Sequence, residues 1–318
     1  MMQEKLAKRT LAVLGVKIAV TVLLGWLALR NVNLKQAVGF AETIPVGSFA
    51  AVVLISAAQL ILATWRWRLV HGRTGVPLAL MPALRLFLLS QFYAQTLPST
   101  VPGDAARIWG AARFGGKGAA AVGVLIDRIL TLLALLLLAG ISVAALLLGG
   151  LASPVLVVPL MVLAAGFVAL AILVIFRRQL HGFLPTRAGG FALQLGDALH
   201  QLTASPDLAG LGVISLLIHG LGILIIWVLA QGMHLPLGLG TAFIAMPLVL
   251  LAALIPISVN GWGVREGTMA TVLAGFGIAH TEAVTLSVVY GLFQLAWGLV
   301  GGVIVLLAGN SAAASRVT

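Results

Sequence analysis

Long apolar runs separated by short polar segments dominate the chain. Because a helix needs about 20 apolar residues to cross ~30 Å of hydrocarbon, each such run predicts a membrane helix. Backbone groups in lipid must bond internally, and the alternation typical of barrel strands is not seen, so the pattern predicts an all-α polytopic membrane bundle. The runs lie at positions 11–29, 48–64, 129–150, 155–176, 208–230, 238–257 and 284–308.

Two stretches of similar sequence interrupt this pattern. "LPSTVPGDAAR" at 97–107 and "IPISVNGWGVR" at 255–265 align without a gap, and both carry helix breakers and an arginine. Irregular backbone at membrane depth is tolerated only where protein or a water-filled cavity covers it, as in the broken helices of transporters. The alternative is that Pro and Gly merely kink ordinary spanning helices. The matched pairs include Pro98 with Pro256, Val101 with Val259, Gly103 with Gly261, and Arg107 with Arg265.

The basic residues predict the topology, because cytoplasmic loops are rich in Lys and Arg. They place both termini in the cytoplasm at the inner membrane, and they place "TWRWR" at 64–68 at the cytoplasmic end of its helix, with both tryptophans in the interfacial belt. Segment 76–118 has basic residues at both ends, which predicts a re-entrant hairpin, and segment 238–280 is predicted to enter from the opposite face.

These hairpins predict an inverted repeat within one membrane domain, residues 1–318. The first half is 1–176 and the second is 207–318. Between them, the amphipathic segment 177–206 is predicted to lie along the cytoplasmic membrane surface.

Composition agrees with a membrane protein: 61% of residues are hydrophobic, 8% are charged and the mean hydropathy is +1.15. A soluble domain carries about 25% charged residues. The net charge of +11 is explained by cytoplasmic loops, so we do not expect nucleic-acid binding. Without cysteine, an HExxH motif or a nucleotide-binding loop, the sequence predicts no metal site and no cofactor.

Charges at membrane depth cost roughly 2.5–3.5 kcal/mol each and are therefore usually paired or functional. Asp104 can pair with Arg107 three residues later. Arg265 and Glu266 are adjacent and are predicted to point in different directions, each taking a partner from the other hairpin. The pair Asp127–Arg128 is predicted to gate the cytoplasmic side or to fix the first hairpin. The alternative role for all of these residues is to lock the bundle with interhelical ion pairs.

Together the two breaks predict one midplane site for an anionic, phosphate-bearing headgroup. Guanidinium groups bind phosphate bidentately, and open helix N-termini add positive potential. The predicted headgroup ligands are Pro98, Gly103, Asp104, Arg107, Asn260, Gly261, Gly263, Arg265 and Glu266. The residues predicted to line the cavity are Gln91, Tyr93, Gln95, Glu282, Tyr290 and Gln294, for which simple interhelical hydrogen bonds are the alternative.

These same motifs resemble the lysylphosphatidylglycerol synthase transmembrane-domain family, a group of flippase-like membrane proteins. Gly103, Asp104, Arg107, Asp127 and Arg128 match its early motif, although Pro102 stands where a glycine is common. The late motif matches from Pro256 to Glu266. The resemblance implies translocation or handling of a membrane lipid.

Two other functions remain open at this stage. A membrane-embedded transferase acting on a lipid-linked donor would use Asp104 or Glu266 as its base. A non-catalytic subunit, or a homo-oligomer, would use the glycine-rich "GLVGGVIVLLAG" at 298–309 to pack against a partner helix. His219 lies within an apolar run and is interpreted as a hydrogen-bonded packing residue rather than a base.

Overall fold

The computed structural model describes residues 23, 26, 34–96, 101–149, 186–203, 207–254 and 258–314, and within these ranges the regular elements are all helical. This confirms the predicted all-α class. The helices are α1 (Leu34–Glu42), α2 (Val46–Arg73), α3 (Leu80–Thr96), α4 (Val101–Gly115), α5 (Lys117–Leu148), α6 (Thr186–Thr203), α7 (Asp207–Gly232), α8 (Leu239–Ala253), α9 (Val264–Ala274) and α10 (His280–Ala314).

Four of these helices are long and apolar enough to cross a membrane: α2, α5, α7 and the His280–Val303 part of α10. They contain the predicted runs at 48–64 and 208–230 and most of those at 129–150 and 284–308. The predicted helices at 11–29 and 155–176 lie outside the described residues, apart from positions 23 and 26. The described part of the run at 238–257 forms the 15-residue α8, which is short for a complete span.

The chain divides into two compact units. The first unit comprises the described parts of Met1–Ile55, Leu88–Ala105 and Ile223–Thr318, and the second comprises those of Ser56–Phe87 and Ala106–Gly222. Both units draw on separated segments of the chain. Contacts are described below within each unit.

Helices α3 and α4 run antiparallel on either side of the first break, residues 97–100. In the first unit, a Cβ added at Gly103 would lie 3.3 Å from the Cβ of Ala94. In the second unit, Gly110 lies against Leu86 and Gly115 against Val76. Glycine along α4 therefore allows the two helices to pack closely as a hairpin.

The second break joins α8 to α9, which also pack on each other. Its backbone has positive φ at Asn260 (47°), Gly261 (76°) and Gly263 (84°). This region of φ favours glycine and, to a lesser degree, asparagine. A Cβ on Gly261 would also approach the carbonyl oxygen of Ala253 to 2.9 Å, so the glycines give this turn its shape.

The glycine-rich stretch of α10 packs within the chain itself. Gly298 lies against Gln95, Gly301 against the backbone of Leu88, and Gly302 against the ring of Phe92, all on α3. The hypothesis that these glycines receive a partner helix is therefore wrong for Gly298, Gly301 and Gly302, because α3 already occupies that surface.

The structure also corrects the predicted role of the amphipathic segment. On α6, Leu199 is buried in a cluster with Ile126 of α5 and Leu211 of α7, and Leu195 packs against the same cluster. The leucine face was predicted to lie on the membrane surface, but in the second unit it contacts protein. Packing against other helices buries the same apolar stripe that the membrane surface would bury.

We predict that Gly301→Ala destabilises the protein, because the added methyl would meet the backbone of Leu88, which cannot move aside as a side chain can. Overpacking of this kind costs about 1–3 kcal/mol. The measurement is the midpoint of thermal unfolding in detergent.

Gly140→Ala on α5 is the matched control, because no atom lies within 4 Å of a Cβ added there. Alanine exceeds glycine in helix propensity by about 1 kcal/mol, so this midpoint should stay or rise. Equal midpoints for the two variants would contradict the packing of α10 on α3.

Candidate functional site

The second unit contains a carboxylate shared by two arginines. Asp127 on α5 binds Arg66 through Oδ1, 2.9 Å from Nη2, and Arg107 through Oδ2, 3.0 Å from Nη1. The three side chains are almost completely buried. They join α2, α4 and α5, and their formal charges sum to +1.

Hydroxyl groups complete the coordination of Arg66. Its Nη1 donates to Ser215 Oγ on α7 at 2.9 Å, and its Nη2 donates to Thr131 Oγ1. The carbonyl of Thr131 also lies 3.0 Å from Nε2 of His219, as the packing interpretation of that histidine predicted. A buried guanidinium needs such partners because an unpaired buried charge is costly.

Two aromatic rings flank Arg107. Its Cζ lies 5.7 Å from the Trp67 ring centroid and 5.4 Å from that of Phe87. Cation–π contacts of this kind are stronger away from water. Trp67 is fully buried, so it does not face the membrane interface as predicted, and Arg66, which was predicted at the cytoplasmic end of the helix, is also buried.

The first unit contains a second buried arginine in a similar setting. Arg265 lies between the rings of Trp262 and Tyr290, with its Cζ 4.9 and 5.5 Å from their centroids. Its Nη2 donates to Glu266 Oε1 at 2.8 Å, and its Nε donates to Ser287 Oγ at 3.0 Å. Adjacent residues thus pair directly, and the prediction that they point in different directions is wrong.

The physical reason is that Glu266 folds back over the start of α9. Its Oε2 accepts a hydrogen bond from the backbone N–H of Gly263, and its Oε1 accepts from Ser287 as well as from Arg265. Acidic side chains in a first helical turn commonly do this. The carboxylate is saturated, so it is a poor candidate for the base of a transferase, and it covers a helix N-terminus that was expected to face an anion.

Gly291 makes room for this arrangement. A Cβ at Gly291 on α10 would collide with Nη2 of Arg265 and would lie 2.8 Å from the Trp262 ring. One helical turn later, Gln294 donates to the Tyr290 hydroxyl at 2.9 Å.

A hydrogen bond between amide side chains joins the end of α3 to the second break. Asn260 Nδ2, in the second break, donates to Gln95 Oε1, two residues before the first break, at 2.7 Å. Both residues belong to the first unit and are partly buried. Sequence analysis predicted that the breaks lie together, and this contact is consistent with it.

The other residues predicted for the site differ in their contacts and in their burial. Glu282 accepts from the backbone N–H of Ala279 at 3.0 Å and so caps α10. Tyr93 contacts the ring of Phe92. Gln91, Asp104 and Arg128 are partly buried, and Gly103 and Gly261 are buried. Pro98 and Pro256 lie outside the described residues. A single chamber shared by Arg107 and Arg265 stays a prediction.

Several residues of these clusters were not predicted from sequence. Arg66 was predicted only as a basic residue at the cytoplasmic end of its helix, although its position two residues before Arg68 puts the two on different sides of α2. Arg68 instead binds the carbonyl of Leu78 at 2.7 Å. Isolated hydroxyls within apolar runs were the available signal for the remaining partners, Thr131, Ser215 and Ser287.

Among the residues that the structure describes, no group of three His, Asp or Glu side chains could hold a metal ion. Residues 14–302 match the sequence profile of a family described as the lysylphosphatidylglycerol synthase TM region. Searches of curated proteins and of solved structures found no significant match. The family and the four long apolar helices indicate a multi-pass membrane protein related to lipid.

We predict that Asp127→Asn is severely destabilising, because it leaves two buried guanidinium groups without their anion. Breaking a buried pair in this way costs about 3–5 kcal/mol. The measurement is the thermal unfolding midpoint and the yield of monodisperse protein in detergent.

Asp207→Asn is the matched control. Its pair with Arg73 in the same unit is exposed, with side-chain exposures of 55% and 44% against 4% for Asp127. An exposed pair contributes about 0–1 kcal/mol, so this variant should unfold close to the wild type. A similar loss in both variants would mean that burial of the Asp127 cluster does not determine its strength.

Proposed function

The chain belongs to the lysylphosphatidylglycerol synthase transmembrane-region family, and we propose that it translocates a membrane lipid by passing the headgroup along the two helix breaks. The protein would thus act as a transporter rather than as an enzyme. The observation that supports the proposal is the hydrogen bond between Gln95, at the end of α3, and Asn260, in the second break.

A polar strip in the first unit supports this path. Ser287, Tyr290, Gln294 and Gly298 follow one another at helical spacing on α10, so they share one face of the helix. Arg265 lies against Tyr290 at one end of this strip, and Gln95 lies against Gly298 at the other. Half-buried amides in an otherwise apolar unit provide hydrogen bonds that a headgroup needs when it leaves water.

The strengths of the contacts indicate which of them can open. A neutral hydrogen bond such as Gln95–Asn260 contributes about 0.5–1.5 kcal/mol, which thermal motion breaks readily. Breaking the buried ion pairs of Asp127 or Glu266 costs several times more. Alternating access would therefore separate the breaks at the amide contact, while the charged clusters keep their own helices together.

The chain allows a direct test because it has no cysteine. We predict that joining Gln95→Cys and Asn260→Cys with a short bis-methanethiosulfonate reagent stops lipid translocation, and that reduction returns the rate to that of the same double-cysteine protein before cross-linking. Translocation is measured in proteoliposomes as the dithionite-accessible fraction of an NBD-labelled lipid, with a phospholipid and a glucosyl-diacylglycerol assayed in parallel.

Ser48→Cys with Gly232→Cys is the control pair. A Cβ at Gly232 would lie 3.3 Å from the Cβ of Ser48, and neither residue belongs to the breaks or to the polar strip. A disulfide there should leave the rate unchanged. If the cross-linked breaks translocate lipid at the wild-type rate, opening at Gln95 and Asn260 is not part of the mechanism.

A further inference from the structure

We infer that the polar strip accepts an uncharged headgroup rich in hydroxyls, such as a hexose, and selects it by hydrogen bonds rather than by negative charge. The inference rests on the proposed function only for the location of the path. This inference differs from the sequence-based prediction, in which two arginines select a phosphate-bearing headgroup.

The first step concerns charge. Arg265 is neutralised by Glu266, so the pair adds no net charge to the strip. Two of its three guanidinium nitrogens already donate, to Ser287 and to Glu266. Bidentate binding of phosphate needs a free fork of donors, and this fork is engaged within the protein.

The second step concerns the groups that remain available. Asn260 and Gln95 use one amide atom each for their mutual bond, which leaves the Gln95 N–H donors and the Asn260 oxygen without a partner among the described residues. Gln294 likewise uses its nitrogen on Tyr290, so its oxygen stays available within the described part of the chain. In the break itself, the buried Ser258 hydroxyl bonds to none of the described residues.

The third step matches these groups to a ligand. A carboxamide places a donor and an acceptor about 2 Å apart, and a hydroxyl is a donor and an acceptor at once. Vicinal hydroxyls can therefore satisfy both atoms of an amide. A fully ionised phosphate has only acceptors, so the amide oxygens of Asn260 and Gln294 would face its charged oxygens without a proton between them. Burying such an anion without enough donors is costly.

The test is a binding competition in detergent. Purified protein is given equimolar glucosyl-diacylglycerol and phosphatidic acid with identical acyl chains, and retained lipid is counted by native mass spectrometry. We expect retention of the glucosyl lipid at least about tenfold above phosphatidic acid, as two neutral hydrogen bonds would give. Gln294→Leu, which keeps the side-chain size, should remove most of this preference.

Gln194→Leu, on the exposed side of α6 in the second unit, is the control and should keep the preference. Equal or greater retention of phosphatidic acid by the wild type would overturn the inference. A preference that survives in Gln294→Leu and in Gln95→Leu would also overturn it, since the strip would not be the site. Binding is measured here without transport. Failure of the cross-linking test would therefore contradict the proposed translocation but would not affect the binding result.

Discussion

Every polar group inside a membrane protein must find its partner within the protein, and this constraint organises the structure. Lipid offers no hydrogen bonds, so a broken helix or a buried charge survives only where other side chains satisfy it. Asp127 is bound by two arginines, and Glu266 by an arginine, a hydroxyl and a backbone N–H. The charges that looked anomalous in the sequence are thus mostly engaged with one another.

The interactions that pair these polar groups differ in strength, and the difference bears on function. Charged clusters join helices within each unit and resist separation, because pulling them apart would leave a buried ion unpaired. Among the described residues, the contact between the end of α3 and the second break is a neutral hydrogen bond between Asn260 and Gln95. A transporter needs such a weak contact where it opens and strong ones elsewhere, since a ligand shifts an equilibrium only by its differential affinity.

The sequence predicted the helices better than it predicted which side chains contact one another. Apolar runs of sufficient length predict spanning helices because hydrocarbon thickness fixes helix length, and four of them are confirmed. Partners depend on which helix faces meet, which periodicity does not encode. The glycines after Gly298 could receive any helix, and they receive α3. Glu266 could have reached across the bundle, but the N–H groups of its own helix start were nearer. The buried partners of Arg66 were missed because basic residues near helix ends usually mark the cytoplasmic side.

Arg107 and Arg265, which align in the sequence, have similar surroundings but take their carboxylate partners from different places. Both arginines are buried, contact two aromatic rings and are bound to a carboxylate. Arg107 takes its carboxylate from the following helix, 20 residues on, whereas Arg265 takes it from its neighbour and a hydroxyl from the following helix, 22 residues on. What recurs is a link between the helix after each break and the next helix along the chain. A residue that anchors a hairpin must keep its partner throughout the transport cycle, and a residue that carries cargo must release it. Their engagement favours anchoring for both arginines, and the proposed mechanism therefore assigns recognition of the headgroup to the amides of Gln95, Asn260 and Gln294.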